Sequence, residues 1–113
     1  MKNTEFTFNG KTYTLVFNLN VMETIQEKYG TLGKWGEVTG ANGNEPQIGA
    51  IIDGFEIMLN EGEEIMNEAR PENFKPLTHK QVGRIISGIG LPKATELLNA
   101  VVSNSTANDE KNA

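Results

Sequence analysis

The sequence predicts an α+β fold, mostly helical, in which an N-terminal β-hairpin packs on a bundle of four or five helices. Three observations carry this reading. Asn9-Gly10 stands between two short runs rich in aromatic and β-branched residues, and both of these turn residues tolerate positive φ. Apolar residues then recur at three- and four-residue spacing through much of the remaining chain. Gly30, Pro46, Pro71, Pro76, Gly90 and Pro92 fall where those periodic stretches stop or start.

The hairpin is formed by Phe6-Thr7-Phe8 and by residues 11–17. A two-residue loop sets Phe8 opposite Lys11 and Phe6 opposite Tyr13. Strand alternation then puts Phe6, Phe8, Tyr13, Leu15 and Phe17 on one face and Thr7, Thr12 and Thr14 on the other. An isolated hairpin is marginal in water, so the aromatic face must lie on helices.

Asn18 or Asn20 caps a first helix that runs to about Tyr29, and Asn20 with Glu23 has capping-box spacing. Leu19, Met22, Ile25, Gln26 and Tyr29 sit near its inward face, and Gly30 stops it. Residues 30–47 are glycine-rich, with an open loop expected over 39–44 and a short helical turn over 34–38. Pro46 opens the clearest helix, whose stripe is Ile48, Ile51, Ile52, Phe55, Met58 and Leu59. Gly54 inside it costs about 1 kcal/mol relative to Ala and points to the close approach of a neighbour. After Gly62 the stripe continues through Ile65, Met66 and Ala69, as one kinked helix or two short ones. Thr78 with Gln81 is a second capping-box spacing, opening a helix with Val82, Ile85, Ile86 and Ile89 inward. Pro92 restarts the helix with Ala94, Leu97, Leu98 and Val101 inward. Residues 1–102 thus read as a single domain, and 103–113 as a disordered polar tail.

Composition narrows the function. The 113 residues are enough for one domain with a radius of gyration of about 13 Å. The absence of cysteine excludes disulfides, thiolate metal sites and cysteine nucleophiles, and the lone His79 excludes any site needing two imidazoles. No apolar run is long enough to span a membrane, and the first residues lack an apolar signal core, so a cytoplasmic protein is expected. Ten basic residues against fifteen acidic ones argue against a nucleic-acid partner. The charge is also segregated. Glu45, Asp53, Glu56, Glu61, Glu63, Glu64 and Glu68 occupy a stretch with no Lys or Arg, whereas Arg70, Lys75, Lys80, Arg84 and Lys93 follow with Glu72 alone. Such segments can pair within one molecule or head-to-tail between copies, or simply form two solvated faces.

Few residues suggest chemistry. Glu61, Glu63 and Glu64 with Asp53 and Glu56 are hard oxygen donors, but they lack the alternating spacing of a calcium loop, and a solvated helix face is the simpler reading. His79 follows a helix cap with no visible carboxylate partner. Gly88-Ile89-Gly90 lacks the rest of a dinucleotide fingerprint, and no nucleophile elbow or P-loop occurs. Neither an enzyme nor a cofactor is expected. Trp35, flanked by Gly33 and Gly36, is either an exposed partner anchor or a lid folded over the core, the commoner fate of a single tryptophan. Met22, Met58 and Met66 form either an adaptable apolar surface or plain core. The candidate partner contacts are therefore Trp35, Met58 and Met66 by apolar contact, and Lys80 and Arg84 by charge.

Residues 13–30, YTLVFNLNVMETIQEKYG, resemble the opening of tail assembly chaperones from long-tailed bacteriophages and prophages: a strand ending in an aromatic, a Leu-Asn helix start, an acidic helix, then glycine. Leu77-Thr78-His79-Lys80-Gln81-Val82-Gly83, followed by Ile85-Ile86, is similar to a second recurring region of that family. The likeness extends over most of residues 6–102. It implies a non-enzymatic cytoplasmic factor that binds the tape measure protein, keeps it soluble and helps recruit tail tube subunits. Tube-type components that stay in the particle begin in a similar way, so a structural tail subunit is the alternative.

Overall fold

A computed structural model describes residues 4–40 and 45–112, with side chains described through Ser103. Its elements are β1 (Thr4–Phe8), β2 (Lys11–Leu15), α1 (Leu19–Tyr29), α2 (Leu32–Val38), α3 (Ile48–Met66), a 3-10 turn (Pro71–Asn73), α4 (His79–Ile89) and α5 (Leu91–Asn112). The α+β fold, with a hairpin on a helical bundle, is the one the sequence predicts. Its radius of gyration is 13.7 Å. Most of the loop expected over 39–44 lies outside the described residues.

The strands pair antiparallel with Phe8 opposite Lys11 and Phe6 opposite Tyr13. Asn9 and Gly10 take φ of 52° and 78°, as this two-residue turn requires. Phe6 stacks on Tyr13 with ring centroids 5.5 Å apart and meets Phe55 of α3 edge-on at 6.1 Å. The aromatic face therefore lies on the helices.

The long helix α3 is the centre of the domain and packs against β2, α1, α4 and α5. Ile51, Phe55, Met58 and Leu59 are fully buried along it, joined by Leu15, Val21, Ile25, Val82 and Val101 from its neighbours. Two glycines let those neighbours close in. A β carbon on Gly54 would stand 2.6 Å from the Trp35 indole, and one on Gly62 would stand 2.6 Å from the Thr14 carbonyl oxygen. The close approach anticipated at Gly54 is thus made by Trp35.

Helix ends follow local chemistry. The Asn18 side chain accepts from the Val21 N–H to cap α1, and Gly30 closes that helix with φ 90°. Thr31 caps α2, which begins two residues before the expected turn. Both halves of the Thr78–Gln81 capping box form at the start of α4.

Two details depart from the sequence reading. Leu19, expected inward, is 77% exposed, while Val21 is buried. Capping by Asn18 puts Val21 and Ile25 on the core face, and Leu19, two residues earlier, lies about 200° round the helix from Val21. Second, α3 runs as one helix through Gly62, but its last apolar residues leave the core, with Ile65 45% and Met66 72% exposed. The α5 backbone is helical from Leu91 to Asn112. Docking of Ala94, Leu97, Leu98 and Val101 nucleates that helix, after which each added residue costs little.

Gly54→Ala should destabilise the domain by about 1–3 kcal/mol, because the rigid indole must move. Gly49→Ala, on the same helix with open space around it, should instead stabilise it by up to about 1 kcal/mol. Urea midpoints of the two variants should move in opposite directions. Phe17, buried and stacked on Trp35 at 6.5 Å, should cost about 3–5 kcal/mol when changed to Ala. Exposed Thr12→Ala should cost under about 1 kcal/mol in the same measurement.

Candidate functional site

The five candidate contacts fall into two groups. Trp35 and Met58 are buried, at 5% and 0% exposure, so neither is offered to a partner, and that part of the sequence reading is corrected. The Trp35 indole N–H donates to the Ala50 carbonyl at 3.2 Å, its ring stacks on Phe17, and Gly54 receives its edge. Met58 fills the centre of α3's buried face. Met66, Lys80 and Arg84 are exposed, and Lys80 and Arg84 form no ion pair with the described residues. Between α2 and α5 lies an apolar groove of about 710 Å³, lined by Trp35, Leu91, Leu98 and Val102 among others.

His79 does have carboxylate partners, contrary to the sequence reading. Asp53 and Glu56 lie one helical turn apart on α3, and the Thr78 cap sets His79 at the start of α4 beside them. His79 Nδ1 is 3.0 Å from Glu56 Oε1 and 3.3 Å from Asp53 Oδ1. The same Asp53 oxygen receives the Lys28 ammonium at 3.1 Å, and its other oxygen accepts from the Tyr29 hydroxyl at 2.5 Å. Sequence reasoning missed this cluster because its members come from three helices whose relative placement no local pattern encodes.

The donor atoms of Asp53, Glu56 and His79 lie within 4.8 Å of one another and are of types that suit a divalent cation. Lys28 already supplies a positive charge to Asp53, however, and Tyr29 occupies its second oxygen. The arrangement works as a clasp, tying α1 and α4 to α3 through one buried carboxylate. Burial, the hydrogen bond to Asp53 and the charge of Asp53 together push the Tyr29 phenol well above its ordinary value of 10.0.

A different surface gathers where α3 leaves the core. Ile65 and Met66 form an exposed apolar ridge, with a shallow depression on each side. One, of about 400 Å³, is lined by Glu5, Thr14, Val16, Asn18, Gly62 and the ridge. The other, of about 430 Å³, is lined by Asn20, Glu23, Thr24, Glu61, Glu64, Ile65 and Glu68. Glu61 accepts from the side-chain amides of Asn18 at 2.7 Å and Asn20 at 3.1 Å, which seats the start of α1 beside this part of α3. Exposed Leu19 stands between those two asparagines in the chain. Glu63 is drawn off towards Lys11 at 3.4 Å. Glu5, Glu23, Glu64 and Glu68 have no cationic partner among the described residues. The sequence did carry the sign of this ridge, in a stripe that runs on past Gly62 into an acidic stretch.

No single described helix is long and apolar enough to cross a membrane. The α4–α5 pair, apolar enough when taken together, bends by 107° and turns Val82, Ile85, Ile86, Leu97, Leu98 and Val101 into the core. No protein-family model matches the chain, and neither a curated protein nor a solved structure does.

Tyr29→Phe should cost about 1–3 kcal/mol near neutral pH, because an oxygen of Asp53 loses its donor. A raised phenol pKa means the folded state holds its proton more tightly than the unfolded chain. Its contribution is therefore complete below about pH 10 and is lost as pH rises through the folded-state value. The stability gap between wild type and Tyr29→Phe should narrow above about pH 10, measured by urea unfolding across an alkaline series.

Proposed function

We propose that this protein is a tail assembly chaperone of a long-tailed bacteriophage or prophage. It is a non-enzymatic factor that binds the tape measure protein in the host cytoplasm and assists assembly of the tail tube. The observation that carries this reading is the division of α3. Its first part is core, whereas Ile65 and Met66 continue the same apolar stripe into solvent. A long helical client exposes apolar stripes until it is assembled, and a shallow apolar surface covers such stripes better than a deep pocket does.

The segments that resemble the family support the reading by their place in the fold. Residues 13–30 form the end of β2 and all of α1, and Leu77 to Ile86 lead into and through most of α4. A tube-type subunit retained in the virion needs strands to build a wall, and the described residues contain one two-stranded sheet. Self-association belongs to the same proposal, since Lys80 and Arg84 on α4 are exposed and available to the acidic segment of a second copy.

Co-expression with a tape measure protein from the same genome should move that protein from the pellet to the soluble fraction. A tape measure equally insoluble with and without this protein would overturn the reading. Stoichiometric recovery of this protein in purified tails would put the structural subunit in its place.

A further inference from the structure

We infer that the Ile65–Met66 ridge and its two flanking depressions are the docking site for a basic amphipathic helix. The inference rests on the chaperone reading only for the identity of the natural client. Shape and charge carry the rest.

Five carboxylates line the depressions: Glu5 on one side, and Glu23, Glu61, Glu64 and Glu68 on the other. No Lys or Arg lines either one. None of the five has a cationic partner among the described residues, and Glu61 is held by two neutral amides. An occupant that brings Lys or Arg supplies the missing partners, whereas nucleic acid and anionic lipid surfaces are repelled. The occupant must also cover apolar atoms, because Ile65 and Met66 stand exposed at the centre of the negative rim. Apolar side chains three or four residues apart on a helix lie on one face about 5–6 Å from one another, so a single amphipathic helix presents a continuous row to the ridge. The depression beside Glu5 offers Val16, Ile65 and Met66 to such a row, and the one lined by Glu23, Glu61, Glu64 and Glu68 receives the Lys or Arg next to it. Apolar contact at the centre with carboxylates around it selects a client helix carrying Lys or Arg beside its apolar stripe.

The test uses a synthetic Leu/Lys amphipathic helix of about 18 residues and the same peptide with Glu in place of Lys. The Lys peptide should bind the full chain and shift the methyl resonances of Ile65 and Met66, and its affinity should fall as salt rises from about 0.05 to 0.3 M. Ile65→Ser with Met66→Ser should weaken binding roughly tenfold or more, while these exposed positions leave the melting temperature nearly unchanged. Glu64→Lys with Glu68→Lys should weaken the Lys peptide and let the Glu peptide bind. Equal affinity for both peptides, unchanged binding by the serine variant, or shifts confined to the groove between α2 and α5 would each overturn the assignment. The serine variant also separates the two proposals. If it keeps the tape measure protein soluble as well as wild type does, the ridge is the wrong site and the chaperone reading stands. If the Lys peptide binds the ridge while wild type leaves the tape measure insoluble, the site stands and the chaperone reading falls.

Discussion

The edge of the Trp35 indole lies against Gly54, and the arrangement of the first half of the chain depends on the missing β carbon at that contact. With any side chain there, the indole would be pushed off α3, its N–H would lose the Ala50 carbonyl, and its stacking on Phe17 would open. Phe17 directly precedes the Asn18 cap, so the same contact anchors the chain where α1 begins. Gly62 plays the equivalent part for the hairpin, letting the β2 backbone rest on α3 at Thr14. A helix interior ordinarily disfavours glycine by about 1 kcal/mol relative to Ala. Here that local cost is exchanged for two close packings that a side chain would forbid.

Around this apolar centre one polar feature ties the helices together. Asp53 is buried on α3, where an isolated carboxylate would be costly, and it is compensated from two directions by α1 and α4. Lys28 and Tyr29 are consecutive on α1, while His79 opens α4 from a cap built by its own neighbours. The cluster adds direction to packing that is otherwise non-directional, since only one rotation of α1 brings both the ammonium and the phenol to the same carboxylate.

The far end of α3 obeys different physics. Past Gly62 the apolar side chains of Ile65 and Met66 lie exposed, and the charged residues that line the depressions beside them are all acidic. Apolar surface inside a single-sign rim is poorly suited to self-burial, because a second copy of the same patch would bring like charges together. It is well suited to a partner of opposite charge. One helix therefore acts as scaffold along most of its length and as a presented surface at its end.

Local patterns determined much of this protein. Asn9-Gly10 set the hairpin register, Thr78 with Gln81 set the start of α4, Gly30 and Gly90 set two helix ends, and the stripes of α3, α4 and α5 named most of the core, because each depends on residues a few positions apart. Gly54 even announced that something would come close. Only the tertiary structure decided that the visitor is Trp35, which removed the most conspicuous aromatic from the candidate surface. It decided as well that Met58 is core while Met66 is not, although both sit on one continuous stripe. That difference lies in how far the hairpin, α1 and α4 extend along α3, a matter of where separate elements end in space. The Asp53 clasp and the acidic ridge have the same origin, since their residues come from distant parts of the chain and meet only when three helices and a hairpin are docked.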